Sequence, residues 1–216
     1  MKRLREISKK EGREKYSQLL LEGNHLLQES LKTDFCPQQI IATSSWIQNH
    51  AEFLQSLSDE IQLIEVTEGV LSASLTTVNP DGVASLFPLS KIPRSPQRLD
   101  FVLALDRLQD PGNMGNLFRN SLAAEVDVIW LAAGAHPLNQ KVLRSSAGSI
   151  LHLPFERLGG TDEEAVQLLV EKLNFATDQG FQVIATSAPR KKLNKELIPY
   201  WEIDWNRPTV LVLGNE

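Results

Sequence analysis

The stretch Asp106–Asn120, DRLQDPGNMGNLFRN, constrains this chain more than any other segment. An uncharged apolar run, Phe101–Leu105, leads into it and is typical of a buried parallel strand. Apolar residues at helical spacing follow from Leu117 onward, so a helix is expected there. The residues between are rich in Pro, Gly and Asn, which predicts a turn. A strand, a glycine-rich turn and a helix N-terminus together present unpaired backbone N–H groups to a ligand.

Each residue type in the predicted turn has a physical reason to be there. Pro111 fixes its own φ and biases Asp110 toward an extended form. Gly112 and Gly115 allow a positive φ or a close approach of two backbones. Asn113 can bond its own backbone and tolerates the left-handed conformation. The alternative is an ordinary helix-capping turn, which is common in α/β proteins.

Two well-known phosphate-binding motifs do not fit this stretch. No Gly-Lys-Ser/Thr follows the turn, so it is not a Walker A loop. GNMG departs from the dinucleotide pattern GxGxxG, and the next predicted strand, Val126–Ala132, leads into Ala-Gly without an acidic ribose-binding residue. Arg119 lies about one turn into the predicted helix, where its fork could reach back to a phosphate. A solvated arginine is the alternative for that position.

The whole string L-D-x-x-x-D-P-x-N-x-G-x-x-x-R resembles the first signature motif of the SpoU/TrmH family, RNA ribose 2′-O-methyltransferases of the SPOUT superfamily. The matching positions are Asp106, Asp110, Pro111, Asn113, Gly115 and Arg119. The resemblance implies S-adenosyl-L-methionine as cofactor, rRNA or tRNA as substrate, a homodimer and no metal. Under it, Arg119 activates the 2′-hydroxyl or grips the adjacent phosphate, and Asn113 shapes the loop and contacts the ribose. A guanidinium is a poor general base, because its pKa exceeds about 12, so we favour the phosphate role.

Composition fits this class of protein. The chain has 216 residues, of which 42% are apolar and 23% charged, as in soluble globular proteins. No apolar run approaches the roughly 20 residues needed to span a bilayer, and the N-terminus lacks the apolar core of a secretory signal. Cys36 is the single cysteine and the four histidines are scattered, so we expect a cytoplasmic protein without a zinc site.

The charge distribution is uneven. The net charge is −5, yet residues 1–15 contain seven Lys or Arg and three Glu. This predicts a basic N-terminal arm that touches RNA phosphate. A solvated charged helix is the alternative.

Residues 1–90 are predicted to form a small N-terminal α/β domain, because short apolar runs alternate with helical patterns. Strands are expected at Ile40–Thr43, Ile61–Val66 and Gly82–Phe87, and Asn24 is expected to cap a helix. The strings LLLEGNHLLQESL and NPDGVASLF resemble the opening and the closing strand of the family's substrate-binding domain, which implies RNA binding. The candidates for base stacking, each also a candidate core residue, are Tyr16, Trp46, Phe53 and Phe87.

Prolines and basic residues mark residues 91–98 as a linker, and residues 99–216 as the second domain. There KVLRSSAGSILHLP resembles the family segment KVxRASAGAxxxLP, which implies that Lys141 and Arg144 contact RNA phosphate and that Ser146 helps to close the site. A solvated helix face is the alternative for the two cations. We expect a helix over Asn139–Ser146 and a strand at Ile150–Leu153.

A capping box, Thr161 and Glu164, predicts a long helix that ends at Gly180. Its expected inward residues are Val166, Leu169, Val170, Leu173 and Ala176.

The predicted strand Phe181–Thr186 leads into Thr186 and Ser187, small hydroxylated residues where ligands bind open parallel sheets. The last strand, Thr209–Leu213, continues into Gly214-Asn215-Glu216, and VLVLGNE resembles the start of the family's second motif, l-v-l-G-x-E-x-x-G. The resemblance implies that Gly214, Asn215, Thr186 and Ser187 line the cofactor site. Glu216 would orient Arg119, within one subunit or across a dimer.

The family's third motif does not occur before Glu216. In the family that segment completes a trefoil knot, much of the cofactor pocket and the dimer interface. A buried strand at a terminus with no covering helix is also unusual. We therefore expect a C-terminally truncated form, or the ordered part, of a longer protein.

These observations predict an α/β protein with a small substrate-binding domain and a SPOUT-type parallel-sheet domain whose knot-forming end is missing. The predicted activity is S-adenosylmethionine-dependent methylation of a ribose 2′-hydroxyl in rRNA or tRNA. The alternatives are a non-catalytic RNA- or ribosome-binding protein of the same fold and, with less support, a Rossmann-type oxidoreductase.

Overall fold

A computed structural model describes residues 2–186 and 197–214. The chain divides into two compact units, each containing one β-sheet. The first unit comprises the described parts of Met1–Pro93, Pro111–Arg119 and His136–His152. The second comprises the described parts of Arg94–Asp110, Asn120–Ala135 and Leu153–Glu216. The predicted α/β class is confirmed.

A four-stranded mixed sheet forms the centre of the first unit. Its strands are β1 (Gln18–Glu22), β2 (Gln39–Thr43), β3 (Gln62–Val66) and β4 (Val83–Pro88). The order is β1-β4-β2-β3, with β2 and β3 parallel and β4 antiparallel to both of its neighbours. The helices before and between these strands are α1 (Lys2–Ile7), α2 (Lys10–Tyr16), α3 (Asn24–Leu31), α4 (Ser44–Asn49), α5 (Ala51–Gln55) and α6 (Glu68–Ser72).

Side chains alternate along β2 and so supply two apolar clusters. Ile41 packs with residues of α1 and α6, whereas Ile40 packs with Leu27 of α3 and Trp46 of α4. Trp46 and Phe87 are buried, which confirms the core alternative for both and excludes them as stacking platforms in this conformation.

The N-terminal segment is helical and packed, and its predicted contact with RNA phosphate stays a prediction. Leu4 and Ile7 are buried in the first unit's core, and the guanidinium of Arg13 is buried and donates to the Ser8 carbonyl at 3.0 Å. These two apolar side chains, at i, i+3 spacing, pack α1 against the core of the first unit. The charges therefore lie on a packed pair of helices.

The predicted Asn24 cap is also wrong. Asn24 is the first helical residue of α3, and Gly23 precedes it with φ 97°. The Asn24 N–H instead donates to the carboxylate of Asp81 at 2.8 Å, a partner 57 positions away.

Five parallel strands form the sheet of the second unit. They are β5 (Phe101–Asp106), β6 (Val128–Ala132), β7 (Phe155–Leu158), β8 (Gln182–Ala185) and β9 (Thr209–Gly214). Three further α-helices in the described part of the chain are α7 (Pro111–Ala123), α8 (Gln140–Ser145) and α9 (Asp162–Asp178). The order is β7-β6-β5-β9-β8. The chain thus runs outward from β5 to β7 and later returns to the other side of β5.

Two details of the second half differ from the predictions. Ile150 and Leu151 lie in a short 3₁₀ helix, and the strand is Phe155–Leu158, so the apolar run was misassigned. In α9, Ala165 is buried and Val170 is 44% exposed. The apolar spacing therefore included one exposed valine among the expected inward residues and missed one buried residue. The missed residue is Ala165, a small side chain that contributes little to an apolar pattern.

The capping box at the start of α9 is present as predicted. The Thr161 hydroxyl accepts from the Glu164 N–H at 3.2 Å, and the Glu164 carboxylate accepts from the Thr161 N–H at 2.9 Å. Hydrogen bonds to the Glu164 carboxyl from the Thr161 backbone, and then from the Thr161 side chain, lower the pKa of Glu164. Its contribution to stability is therefore present above the unfolded-state pKa and is lost as the pH falls through the lower folded-state pKa.

We expect Thr161→Ala to lower the free energy of unfolding by about 1 kcal/mol, because the Glu164 N–H loses its acceptor. Urea unfolding at neutral pH measures this loss. Thr161→Ser retains the hydroxyl and is the matched control. An equal loss in both variants would show that packing of the threonine methyl group, not the cap, carries the effect.

Candidate active site

The strand order of the parallel sheet reverses between β5 and β9. Strands β6 and β7 extend the sheet on one side of β5, and β9 and β8 extend it on the other. Open α/β sheets bind ligands at such a switch point, outside the carboxyl ends of the strands. Asp106 and Gly214 are register partners there. A Cβ at Gly214 would meet no described atom within 4 Å, so the backbone is open to close approach.

The loops after β5 and β6 are locked together at the same edge. Arg107 and Ala133 both have a positive φ, 55° and 60°, although neither is glycine. The Arg107 N–H donates to the Ala132 carbonyl at 2.7 Å. A Cβ at Gly134 would lie 2.3 Å from the Leu108 carbonyl oxygen. Left-handed non-glycine residues persist only where the surroundings hold them, and they cluster at functional sites.

The pairing of Arg107 with Asp106 was not predicted from the sequence. Its Nε and Nη2 donate to the two carboxylate oxygens of Asp106 at 2.9 and 2.7 Å. The hydrogen bond and the charge of Asp106 raise the pKa of Arg107. Asp106 is therefore engaged by the next residue, and the adjacent Asp-Arg pair was the available signal.

The signature helix, α7, begins earlier than predicted. It starts at Pro111, which as the first helical residue has no N–H to lose. Gly112, Asn113 and Gly115 are therefore helical, and of the two alternatives expected for the glycines, positive φ or close backbone approach, the positive φ is not found. The connection between β5 and α7 shortens to residues 107–110.

Gly115 instead provides the predicted close approach. A Cβ there would lie 2.0 Å from Ser145 Oγ and 2.6 Å from the Ser146 backbone nitrogen. Ser145 Oγ also donates to the Pro111 carbonyl at 3.1 Å. The first turns of the signature helix are thus held against α8 within the first unit.

The two predicted catalytic residues of the signature helix lie in the first unit. Asn113 and Arg119 are both exposed, and Arg119 is four residues after Gly115, on the same helix face. The third predicted catalytic residue, Glu216, lies outside the described residues, as do the predicted cofactor residues Ser187 and Asn215.

Thr186 and Gly214, the other predicted cofactor residues, lie in the second unit at the carboxyl ends of β8 and β9. The Thr186 N–H donates to the Val212 carbonyl at 3.0 Å. Thr186 borders a cavity of about 740 Å³ that is also lined by Ile184, Tyr200 and Leu211.

The three residues predicted to contact RNA have different surroundings. Lys141 is exposed, and its backbone N–H donates to the Asn139 side chain at 2.9 Å. Arg144 pairs with Glu22 at 2.9 Å. Ser146 is buried and its hydroxyl donates to the Leu143 carbonyl at 2.8 Å, so it supports the fold of α8 and has no surface for RNA in this conformation.

No group of three or more His, Cys, Asp or Glu side chains in the described ranges 2–186 and 197–214 is arranged to hold a metal ion. Over the same residues, no helix combines the length and apolar character needed to cross a membrane.

Two family models match the chain. Residues 100–216, more than half of it, match the SpoU rRNA Methylase family. Residues 1–85 match the MRM3-like substrate binding domain.

Curated relatives align over nearly the whole chain. An uncharacterized tRNA/rRNA methyltransferase of Synechocystis is 36% identical over 219 residues, which cover 100% of this chain and 75% of that protein. The 23S rRNA (guanosine(2553)-2′-O)-methyltransferase RlmP of Bacillus subtilis is 29% identical over 213 residues, covering 98% and 77%.

Solved structures share the fold. An rRNA methyltransferase from Sinorhizobium meliloti superposes with a TM-score of 0.73 at 25% identity, covering 100% of this chain and 78% of that one. The SpoU methyltransferase AviRb from Streptomyces viridochromogenes, solved in complex with the cofactor AdoMet, has a TM-score of 0.77 at 19% identity and coverages of 100% and 80%. The SPOUT-type α/β fold class is thereby confirmed, whereas the knot stays a prediction. The chain therefore belongs to the SpoU rRNA methylase family of tRNA and rRNA methyltransferases.

Proposed function

We propose that this chain transfers the methyl group of S-adenosylmethionine to a ribose 2′-hydroxyl of rRNA or tRNA. The observation that carries the proposal is the exposed Arg119 on a helix whose register is fixed by the Gly115 contact with α8. A fixed, exposed guanidinium is suited to hold a phosphate next to the reacting ribose. The Bacillus subtilis relative is named as a 2′-O-methyltransferase, which supports the same choice of acceptor atom.

The open backbone at Gly214 fits the proposed cofactor. The strand end has room for a ligand to approach the main chain, and it lies at the switch point of the sheet. When bound, S-adenosylmethionine supplies an electrophilic methyl group on a sulfonium. Gly214 and Thr186, with Asn215 and Ser187 from the sequence pattern, are the residues proposed to hold it.

Bound S-adenosylmethionine would supply the methyl group to the ribose 2′-oxygen, and the hydroxyl proton would be released to water. Arg119 holds the neighbouring phosphate and so aligns the oxygen, which supplies much of the rate. Its positive charge also stabilises the negative charge that develops on the oxygen. Asn113 contacts the ribose, and Glu216 orients the guanidinium of Arg119.

We further propose a division of labour along the chain. Residues 1–90 bind the RNA, and residues 99–216 catalyse methyl transfer. Residues 91–98 are the linker between these two domains. The packed basic helices α1 and α2, together with Lys141, supply positive charge toward the RNA backbone. The proposed active form is a homodimer located in the cytoplasm. Sedimentation in solution would test the oligomeric state.

Transfer of a labelled methyl group to unmodified rRNA and tRNA tests the proposed function. The assay is run with the 216-residue chain. We expect label in one RNA class, and the labelled dinucleotide to resist alkaline hydrolysis because its 2′-oxygen is blocked. A 2′-deoxy substitution at the labelled position should abolish transfer. Tight RNA binding without any label would favour the non-catalytic RNA-binding alternative.

A further inference from the structure

A buried carboxylate ends β1 in the first unit. The side chain of Glu22 is only 1% exposed. It accepts from the Thr76 N–H at 2.8 Å, from the Thr77 N–H at 3.0 Å and from the Thr76 hydroxyl at 2.9 Å. The remaining charge is balanced by Arg144 Nη1 at 2.9 Å. A carboxylate buried to this degree requires such a complete set of partners.

The same strand end holds α8 at further points. Gln140, which is buried, donates from Nε2 to the Leu20 carbonyl at 3.0 Å. His25 Nε2 lies 3.2 Å from the Ala147 carbonyl oxygen. Arg144 also donates to the Thr76 hydroxyl at 2.8 Å. The Leu20 carbonyl therefore holds the start of α8, and Glu22, Thr76 and His25 hold its end and the residues just after it.

The last residues of α8 also contact the signature helix. The backbone at Ser145 and Ser146 leaves no room for a Cβ on Gly115, and Ser145 Oγ donates to the Pro111 carbonyl. Arg119 follows Gly115 by about one helical turn. A continuous set of contacts thus runs from Glu22 through α8 to the helix that carries Arg119.

We propose that Glu22 and Arg144 are positioning residues, which hold the RNA-binding strands in register with Arg119, and that Arg144 is not a phosphate ligand. This inference rests on the proposed function, because it concerns where bound RNA lies relative to Arg119. The contacts support it: Arg144 Nη1 donates both to the Glu22 carboxylate, whose side chain is 1% exposed, and to the Thr76 hydroxyl, while the Arg144 side chain as a whole is 36% exposed. Turning Nη1 toward a phosphate would leave a buried carboxylate without its counter-charge.

The test uses Glu22→Gln, Arg144→Gln and the double variant in single-turnover methyl transfer at saturating RNA. We expect each single variant to slow transfer by about 10- to 100-fold, the scale of a misplacement near 1 Å. RNA affinity and its salt dependence should stay within about twofold of wild type. The double variant should be no slower than the slower single variant, since both remove one pairing.

Lys141→Gln is the matched comparison on the same helix. Lys141 is exposed, so this variant should weaken RNA binding and lower the salt slope by about one. If Arg144→Gln behaves like Lys141→Gln while Glu22→Gln transfers normally, Arg144 is a phosphate ligand and the positioning role is overturned.

Hydrogen exchange provides a readout that needs no activity. In Glu22→Gln, amides of residues 136–152 and of residues 111–119 should exchange faster than in the wild type. Unchanged exchange over residues 111–119 would overturn the inference even if the wild type transferred no methyl group. Absence of transfer by the wild type with the expected exchange pattern would instead count against the proposed function alone.

Discussion

Gly115→Ala is expected to damage both stability and methyl transfer. The added Cβ would lie 2.0 Å from Ser145 Oγ and 2.6 Å from the Ser146 backbone nitrogen, and the backbone atom cannot rotate away. The signature helix must then move off α8, which carries overpacking costs of about 1–3 kcal/mol or more. Arg119, one turn later, would move with it. Urea unfolding measures the loss of stability, and single-turnover transfer measures the loss of rate.

Gly69→Ala is the control for this substitution. Gly69 lies in α6 of the same unit, and a Cβ there would meet nothing within 4 Å. Alanine in a helix without a clash should stabilise by roughly 0.5–1 kcal/mol. A Gly115→Ala protein as stable and as active as Gly69→Ala would show that the contact with α8 does not fix the signature helix.

Local signals in the sequence were sufficient for several parts of this fold. The capping box of Thr161 and Glu164 and the terminal Gly180 define α9 correctly, because caps depend on residues within one turn. The apolar runs that became β5 and β9 were found for a similar reason, since strands buried in a parallel sheet are continuously apolar.

Parts that depend on distant partners were not predictable in the same way. Glu22 and Arg144 are 122 positions apart, and nothing near either residue indicates the pairing. The motif resemblance assigns Arg144 to RNA, which stays a prediction, and it gives no sign of the pairing with the buried Glu22. The prediction that Asn24 caps a helix was wrong for a similar reason. The backbone N–H of Asn24 donates to Asp81, which is 57 positions away.

The candidate site contains one correct and one wrong prediction within a few residues. The close approach at Gly115 was among the expectations, since a glycine at a helix start permits it. The length of the turn was misjudged because Pro111 fits the first position of a helix as well as it fits a turn. Only the fold shows which of these two positions Pro111 takes, and there it is the first residue of α7.

Arg119→Ala is expected to lower single-turnover methyl transfer by at least about 10²-fold, the scale of removing one preorganised charge from a transition state. The fold should be unaffected, because the side chain is exposed on the signature helix. If the guanidinium grips a phosphate, RNA binding should also weaken, and the salt slope should fall by about one. Arg119→Lys should restore that slope but only part of the rate, since an ammonium keeps the charge and loses the two-point geometry.

Arg98→Ala is the matched control for the loss of an exposed arginine. The Arg98 side chain is 88% exposed, and its ion pair with Asp100 spans 3.6 Å at the surface. Exposed pairs of this kind contribute little, so transfer and unfolding should both stay close to wild type. Transfer by Arg119→Ala within about threefold of Arg98→Ala would refute the assigned role. Loss of rate with an unchanged salt slope would instead assign Arg119 to the 2′-hydroxyl itself, because only a contact with phosphate releases a counterion.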